Sequence, residues 1–169
     1  MNGLGNIVES SFINIELGAG CGNFGEQYFP RCYTTEVASN LNCDMAHIHH
    51  YCSAYNTGLT SDRFTTVVMS NPFGYGFKEV ENAQTLIDEL YRLLQQNGKI
   101  VIICHETNRF CAPDRIEKRL NDDLGFIPIR RPILIEEIDH AVEYPGFEFK
   151  QVSGVPTKPN RRITLDVIK

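Results

Sequence analysis

The sequence predicts an α/β fold with a mainly parallel sheet, and three observations support this prediction. Apolar segments rich in strand-forming residues recur near 12–17, 32–37, 47–52, 65–70 and 99–105. The spaces between several of them are long enough to hold helices, and strands that alternate with helices are typical of parallel sheets. The segment 99–105 is almost continuous in Val and Ile, which indicates a strand covered on both faces.

Length and composition indicate one domain, residues 1–169. A chain of 169 residues, 42% of them hydrophobic, is large enough to bury a sizeable core. No apolar stretch approaches the roughly 20 residues needed to cross a bilayer, and no basic segment followed by an apolar run marks a secretory signal. We therefore expect a soluble protein that acts in the cytoplasm and has no membrane partner. The net charge of −5 does not select a substrate.

The cysteines and histidines give little sign of a metal or redox site. No two cysteines are spaced as Cys-x-x-Cys, and a domain of this size does not need disulfides, so we expect reduced, structural thiols and no metal. Alternation along a strand sends His47 and His49 to one face and His50 and Cys52 to the other. The six cysteines lie at positions 21, 32, 43, 52, 104 and 111.

Two helices are predicted in the second half of the chain. Apolar residues recur at threes and fours over 79–96, which is typical of an amphipathic helix. Asn97-Gly98 is expected to end it, as a glycine beyond the last turn does. A further helix is predicted to begin at Pro113 and to continue to Gly125.

The C-terminal tail has a different pattern. Residues 147–152 and 162–168 alternate between apolar and polar, with glycine and prolines between them, which predicts a terminal antiparallel hairpin. Residues 127–144 mix apolar, basic and acidic side chains. We interpret them as an insertion near the substrate side of the domain.

The first predicted strand runs into a glycine-rich turn that contains Gly18, Gly20, Gly22 and Gly25. Glycines allow a backbone to approach a ligand closely, and nucleotide-like cofactors use such turns. The segment 20–25 also satisfies the dinucleotide pattern G-x-G-x-x-G, so the turn alone leaves a nicotinamide cofactor open.

The residues around this turn carry a family resemblance. Glu16-Leu17-Gly18-Ala19-Gly20-Cys21-Gly22 resembles the first motif of class I S-adenosylmethionine-dependent methyltransferases. The resemblance implies a Rossmann-like doubly wound, seven-stranded sheet and a cofactor, S-adenosylmethionine, placed by Glu16, Gly18, Ala19, Gly20 and Gly22. Glu36 stands where the family has an acid that binds the ribose hydroxyls. The acid expected after the third strand is missing, and Ser53 or Asn56 stands in its place.

A second motif follows the fourth strand. Asn71-Pro72-Phe73 resembles the Asn-Pro-Pro-aromatic motif of methyltransferases that act on amino or amide nitrogens, with one proline in place of two. By this resemblance the Asn71 side chain and the Pro72 carbonyl would accept hydrogen bonds from the target –NH₂, and Phe73 would stack on a planar substrate. Gly74 and Gly76 beside Tyr75 indicate either a mobile loop with exposed aromatic rings or an ordinary tight turn. We expect Tyr75 and Phe77 of this segment, and His105 beyond the fifth strand, to contact the substrate.

The predicted function is methyl transfer from S-adenosylmethionine to a nitrogen of a nucleic-acid base or a protein amide. The acceptor itself, whether nucleic acid, protein or small molecule, stays open, and so does an oxygen in place of a nitrogen. Two alternatives remain: an NAD-dependent oxidoreductase, and a degenerate domain that binds a ligand or partner without turnover. Only about a dozen residues precede the first strand. The family that the motifs resemble usually has helices there that cover the cofactor. We therefore expect an excised or terminal domain of a larger parent, such as an exported bacterial effector or toxin with an inhibitor partner.

Overall fold

The computed structural model describes residues 11–39, 41–123, 125–149 and 157–169. Within them, seven strands form one sheet in the order β3-β2-β1-β4-β5-β7-β6. The strands are β1 Asn14–Glu16, β2 Cys32–Glu36, β3 His50–Tyr51, β4 Phe64–Ser70, β5 Leu94–Cys104, β6 Leu134–Glu137 and β7 Arg161–Asp166.

Helices connect several of these strands. The described helices are α1 Phe24–Tyr28, α2 Val80–Leu93, α3 Pro113–Lys118 and α4 His140–Glu143, and α3 continues into a π-helical turn, Arg119–Asp123. The helix predicted from Pro113 is confirmed in its position, with the proline in the first turn, where its missing N–H costs no hydrogen bond. No helix in the described ranges is long and apolar enough to cross a membrane.

The sheet is parallel from β1 to β5, and β7 lies antiparallel between β5 and β6. This arrangement confirms the predicted α/β, Rossmann-like, mainly parallel seven-stranded sheet with an antiparallel C-terminal end. Because β1, β2, β4 and β5 run in the same direction, their carboxyl ends meet at one edge. In open α/β sheets, ligands bind beyond this edge.

Alternation along the central strands divides the core into two layers. Val67 and Met69 of β4 belong to the larger cluster, which includes the buried face of α2, whereas Val68 between them belongs to the smaller cluster around Phe24. The smaller cluster also contains Phe147 and Phe149. Both faces of the sheet are therefore covered, as the Val- and Ile-rich pattern of β5 predicts.

The end of the long helix differs from the prediction. Helix α2 ends at Leu93 and β5 begins at the next residue, so Asn97-Gly98 lies inside the strand range. Asn97 has a φ of 61°, and the pairing between β4 and β5 shifts register across this segment. The Asn-Gly pair therefore makes a bulge in the strand. A residue with positive φ serves both in bulges and in helix caps, and the sequence does not distinguish the two.

The antiparallel end of the sheet uses a different partner strand from the one predicted. Strand β7 pairs with β6, which lies in the segment 127–144 that we interpreted as an insertion. Residues 150–152 of the predicted partner lie outside the described ranges. The pairing of β6 with β7 includes a charged cross-strand pair: Glu136 lies directly opposite Arg162, and Arg162 Nε donates to Glu136 Oε2 at 2.8 Å. Strand β6 at this edge lacks the alternation of apolar and polar residues on which the hairpin prediction depended.

Candidate active site

A cavity of about 830 Å³ opens at the carboxyl edge of the sheet. Its volume is within the range of sites for small molecules. Ten of the predicted site residues line it, and three, Glu16, Pro72 and Phe77, are outside its lining in the described part of the chain. The ten are Gly18, Ala19, Gly20, Gly22, Glu36, Ser53, Asn71, Phe73, Tyr75 and His105.

The glycine turn after β1 is held in place by its neighbouring strands. Leu17 N–H donates to the Val68 carbonyl at 3.0 Å, and Ala19 N–H donates to the Thr35 carbonyl at 2.9 Å. Gly18 and Gly20 have φ values of 67° and 59°, a backbone conformation that favours glycine. A Cβ added at Gly20 would meet no atom within 4 Å, so the backbone at this position is open to a ligand.

Glu36, at the end of β2, is the acidic side chain of this half of the cavity. Its Oε2 accepts a hydrogen bond from Gly20 N–H at 2.8 Å. Its Oε1 accepts from Val37 N–H at 2.8 Å and from Ala38 N–H at 3.1 Å. The side chain is buried but borders the cavity. A carboxylate fixed by three backbone donors still has lone pairs for further hydroxyl donors.

Glu16 has a supporting position beneath the turn. It is fully buried, and its Oε2 accepts a hydrogen bond from Gly25 N–H at 2.8 Å. Burial raises the pKa of Glu16 to about 7, although the Gly25 N–H and the Ser70 hydroxyl act in the opposite direction. A Cβ at Gly25 would lie 2.7 Å from Glu16 Oε2, so only glycine allows this approach. Glu16 therefore holds the backbone of the turn at Gly25 by a buried hydrogen bond.

A disulfide joins Cys21 of the glycine turn to Cys43, which corrects the expectation that every cysteine is reduced. The two cysteines are 22 residues apart, and the fold of the loop after β2 brings them together. In the same loop, His47 Nε2 lies 3.1 Å from the Gly20 carbonyl, and Leu41 lines the cavity. The described residues contain no group of His, Cys, Asp and Glu that could hold a metal ion.

The Asn-Pro-Phe segment lies at the end of β4, and Asn71 and Phe73 line the cavity. Asn71 has a φ of 46°, and its N–H donates to the Ile103 carbonyl at 2.6 Å, which ties the segment to β5. Pro72 is buried, whereas the Phe73 side chain is 84% exposed. Phe73 also contacts Phe110 edge to face, with ring centroids 5.3 Å apart. An exposed ring at the cavity edge is available to stack on a planar ligand.

The expectation of exposed aromatic rings at Tyr75 and Phe77 is wrong. Phe77 is fully buried in the core. The Tyr75 ring packs against the turn so closely that a Cβ on Gly18 would lie 2.6 Å from its hydroxyl oxygen, and this hydroxyl donates to the Leu17 carbonyl. Burial raises the pKa of Tyr75 well above its ordinary value, so the phenol stays a proton donor. Tyr75 therefore joins the two motifs.

Sequence reasoning missed Asn108, which lies in the loop after β5 and lines the cavity. Its Nδ2 donates to Asn71 Oδ1 at 2.7 Å and to the Pro72 carbonyl at 3.0 Å. Its Oδ1 accepts from Phe110 N–H at 2.9 Å. Nearby, His105 Nδ1 lies 2.9 Å from Thr107 Oγ1. The one signal in the sequence is the position of this loop, directly beyond a central parallel strand.

No protein-family model and no curated protein matches this sequence. Solved structures match its fold. The 16S rRNA (adenine(1408)-N(1))-methyltransferase of Catenulisporales acidiphilia, solved as a variant with its cosubstrate SAM, matches with a TM-score of 0.64 and 10% identity over 97% of this chain and 90% of that chain. A possible histamine N-methyltransferase of Thermotoga maritima matches with a TM-score of 0.55 and 11% identity over 96% and 92%.

An enzyme of Haemonchus contortus has the same fold within a longer chain. Phosphoethanolamine N-methyltransferase 2 of Haemonchus contortus, solved with S-adenosylhomocysteine, matches with a TM-score of 0.56 and 14% identity. The match covers 94% of this chain and 49% of that chain. The chain thus has the fold of class I S-adenosylmethionine-dependent methyltransferases, as the glycine-turn resemblance implies.

Proposed function

We propose that this protein is an S-adenosylmethionine-dependent methyltransferase that acts on an –NH₂ group attached to a planar carbon, in a nucleic-acid base or a protein amide. The observation that carries this proposal is that one cavity is lined both by the glycine turn with Glu36 and by Asn71 with Phe73. A methyl donor bound at the first set would therefore face an acceptor bound at the second.

The residues of the first set fit the cofactor. The open backbone at Gly20 allows a ligand to approach, and the Glu36 carboxylate, held at the cavity edge, suits the hydroxyls of a ribose. Ser53 lines the cavity beyond β3, where it would contact the adenine side in place of the usual acid. S-adenosylmethionine, when bound, supplies an electrophilic methyl group on a sulfonium.

The residues of the second set suit an amino group. Asn71 Oδ1 and the Pro72 carbonyl are spaced so that one –NH₂, that of Asn108, donates to both. An acceptor –NH₂ in the same place would give both its hydrogens to these oxygens, which orients the nitrogen for attack. Phe73 would stack on its planar group. Because the nitrogen loses its proton to water once it carries the methyl, a strong base in the site is not required.

Two other functions are less well supported. An NAD-dependent oxidoreductase would use the same glycine turn, but it leaves the two oxygens of Asn71 and Pro72 without a role. A domain that only binds a ligand or partner is consistent with Ser53 in the place of an acid. Binding and turnover experiments separate these candidates.

The first experiment is a calorimetric titration of the protein with S-adenosylmethionine, S-adenosylhomocysteine and NAD. We expect the two sulfur ligands to bind and NAD not to bind. Labelled S-adenosylmethionine is then offered with adenine-containing RNA, cytosine-containing DNA and a glutamine-containing peptide. Binding of NAD alone would contradict the proposal, and cofactor binding without transfer to any acceptor would favour the non-catalytic domain.

The variant Asn71→Gly tests the acceptor half of the site. Glycine adopts the φ of 46° at this position without strain, so the change removes the side-chain oxygen and its hydrogen bond from Asn108 without straining the backbone. We expect methyl transfer to fall about 100-fold or more while affinity for S-adenosylmethionine is retained. Asn97→Gly is the matched control, because Asn97 also has a positive φ but lies in the β5 bulge, outside the described cavity lining.

A further inference from the structure

The Asn108 side chain occupies the place that the proposed function gives to the acceptor amino group. Its single –NH₂ donates hydrogen bonds to the two oxygens that would hold that amino group, Asn71 Oδ1 at 2.7 Å and the Pro72 carbonyl at 3.0 Å. A primary carboxamide is also one of the acceptor classes proposed above. The protein therefore presents its own planar –NH₂ to these two oxygens.

Two backbone groups fix the orientation of this amide. The Phe110 N–H can only donate, so it requires the Asn108 oxygen, which accepts from it at 2.9 Å. The Pro72 carbonyl can only accept, so it requires the Asn108 nitrogen. A flipped amide would face both partners with the wrong atom. It follows that Asn71 presents its oxygen, and not its own –NH₂, to this place.

We propose that Asn108 is an internal stand-in for the acceptor, which makes it a specificity-determining residue. This inference rests on the proposed function. A ligand that enters must displace the Asn108 –NH₂ from these two oxygens, and both oxygens keep a hydrogen-bond partner only if the ligand also donates two hydrogen bonds. A hydroxyl or a secondary amine donates one, which leaves one of the two part-buried oxygens without its partner, a costly outcome.

The same competition favours release of the product. Transfer forms an N–CH₃ bond as the S–CH₃ bond breaks, and the nitrogen loses one proton to water. The product –NHCH₃ then has one N–H hydrogen for the two oxygens of Asn71 and Pro72, whereas the Asn108 amide has two N–H hydrogens. The Asn108 amide therefore regains its place, and the enzyme adds one methyl group and not two.

Asn108 can leave without a change of its backbone. Its N–H donates to the His105 carbonyl at 2.9 Å, which holds the turn independently of the side chain. Asn108 and the next residue, Arg109, both line the cavity, so there is space on the cavity side for the amide to rotate away from Asn71.

The test is a ¹⁵N NMR titration of the full chain saturated with S-adenosylhomocysteine. The side-chain –NH₂ signals of Asn108 are assigned as the pair that disappears in Asn108→Ala. The probes are adenine and acetamide, each paired with its fully methylated control, N6,N6-dimethyladenine or N,N-dimethylacetamide. We expect at least one of the two primary amino compounds to shift the two Asn108 –NH₂ signals to the chemical shifts of a free amide. Neither dimethylated compound should shift them.

Kinetics of variants provide a second readout on the acceptor that the transfer screen identifies. Asn108→Ala and Asn108→Asp both remove the competing donors, and aspartate keeps an acceptor for Phe110 N–H. We expect KM for the acceptor to fall about tenfold in both, with affinity for S-adenosylmethionine unchanged and more dimethylated product. Asn82→Asp, on the exposed face of α2, is the control for the added charge and should leave KM unchanged.

The outcomes separate this inference from the proposed function. Methyl transfer by the wild type together with an Asn108 pair that no probe moves, or a higher KM in both variants, overturns the stand-in role alone. In that case Asn108 positions Asn71 for catalysis. Displacement of the Asn108 pair by primary amino probes, without methyl transfer to any acceptor, supports the inference and overturns the proposed reaction.

Discussion

The Glu36 carboxylate accepts a hydrogen bond from the Gly20 N–H at 2.8 Å, which joins the end of β2 to the turn after β1. This contact gives one side chain two tasks. It shapes the glycine turn, and it places a negative charge at the cavity edge where the ribose of the proposed cofactor would lie.

Glu36→Gln is expected to weaken binding of S-adenosylmethionine about 10- to 100-fold. The amide keeps one oxygen for backbone donors, but it loses the charge and presents an –NH₂ to donors that need an acceptor. Calorimetric titration measures the change. Glu81→Gln, on the exposed face of α2, is the control. Equal affinity in the Glu36 variant and the wild type would show that this carboxylate does not contact the cofactor.

Alanine substitutions at two glycines of the same turn should differ in cost. Gly20→Ala meets only the strain of a positive φ, about 1–2 kcal/mol, because no atom lies within 4 Å of the new Cβ. Gly18→Ala meets the same strain and also displaces the Tyr75 ring, whose oxygen would be 2.6 Å away. We expect Gly18→Ala to lower the free energy of unfolding more in denaturant titrations. Equal losses would mean that Tyr75 moves at no cost.

Glu16 should make stability depend on pH. Its pKa is about 7 in the folded protein, against 4.5 for an unperturbed carboxyl, so the folded state keeps a proton that the unfolded state has released. Its contribution to the free energy of unfolding is therefore full below pH 4.5 and falls by on the order of 3 kcal/mol as pH rises to about 7.

Glu16→Gln tests this pH dependence, since the amide oxygen can still accept from Gly25 N–H. We expect the variant to gain stability relative to the wild type between pH 4 and pH 8, by roughly 3 kcal/mol in the difference of their unfolding free energies. Urea unfolding at a series of pH values provides the measurement. A difference that stays constant with pH would mean that Glu16 is ionised in the folded protein.

The disulfide between Cys21 and Cys43 should stabilise the fold. It closes a loop with a sequence separation of 22, so its loss is expected to cost about 3 kcal/mol and to lower Tm by roughly 6 to 12 °C. The double variant Cys21→Ala/Cys43→Ala is compared with Cys52→Ala, a free thiol.

A thiol count checks the pairing itself. The denatured protein should titrate as four free thiols without reductant, those of Cys32, Cys52, Cys104 and Cys111, and as six after reduction. Six thiols before reduction would contradict the disulfide.

The sequence by itself determined the parallel part of the sheet and the two motifs. The Val- and Ile-rich pattern of β5 follows from burial on both faces, which leaves no room for polar residues. The glycines at 18 and 20 are required by a turn with positive φ, and this requirement is local. Local requirements of this kind can be recognised one segment at a time, and both motifs were therefore visible without any knowledge of tertiary contacts.

Only the tertiary structure decided the contacts between segments far apart in the chain. Strand β7 pairs with β6, where Glu136 contacts Arg162, and the disulfide depends on how the loop after β2 folds over the turn. Asn108 meets Asn71 across a separation of 37 residues. Each of these contacts joins segments that are distant in the sequence, and no periodicity or spacing encodes which side chains will meet.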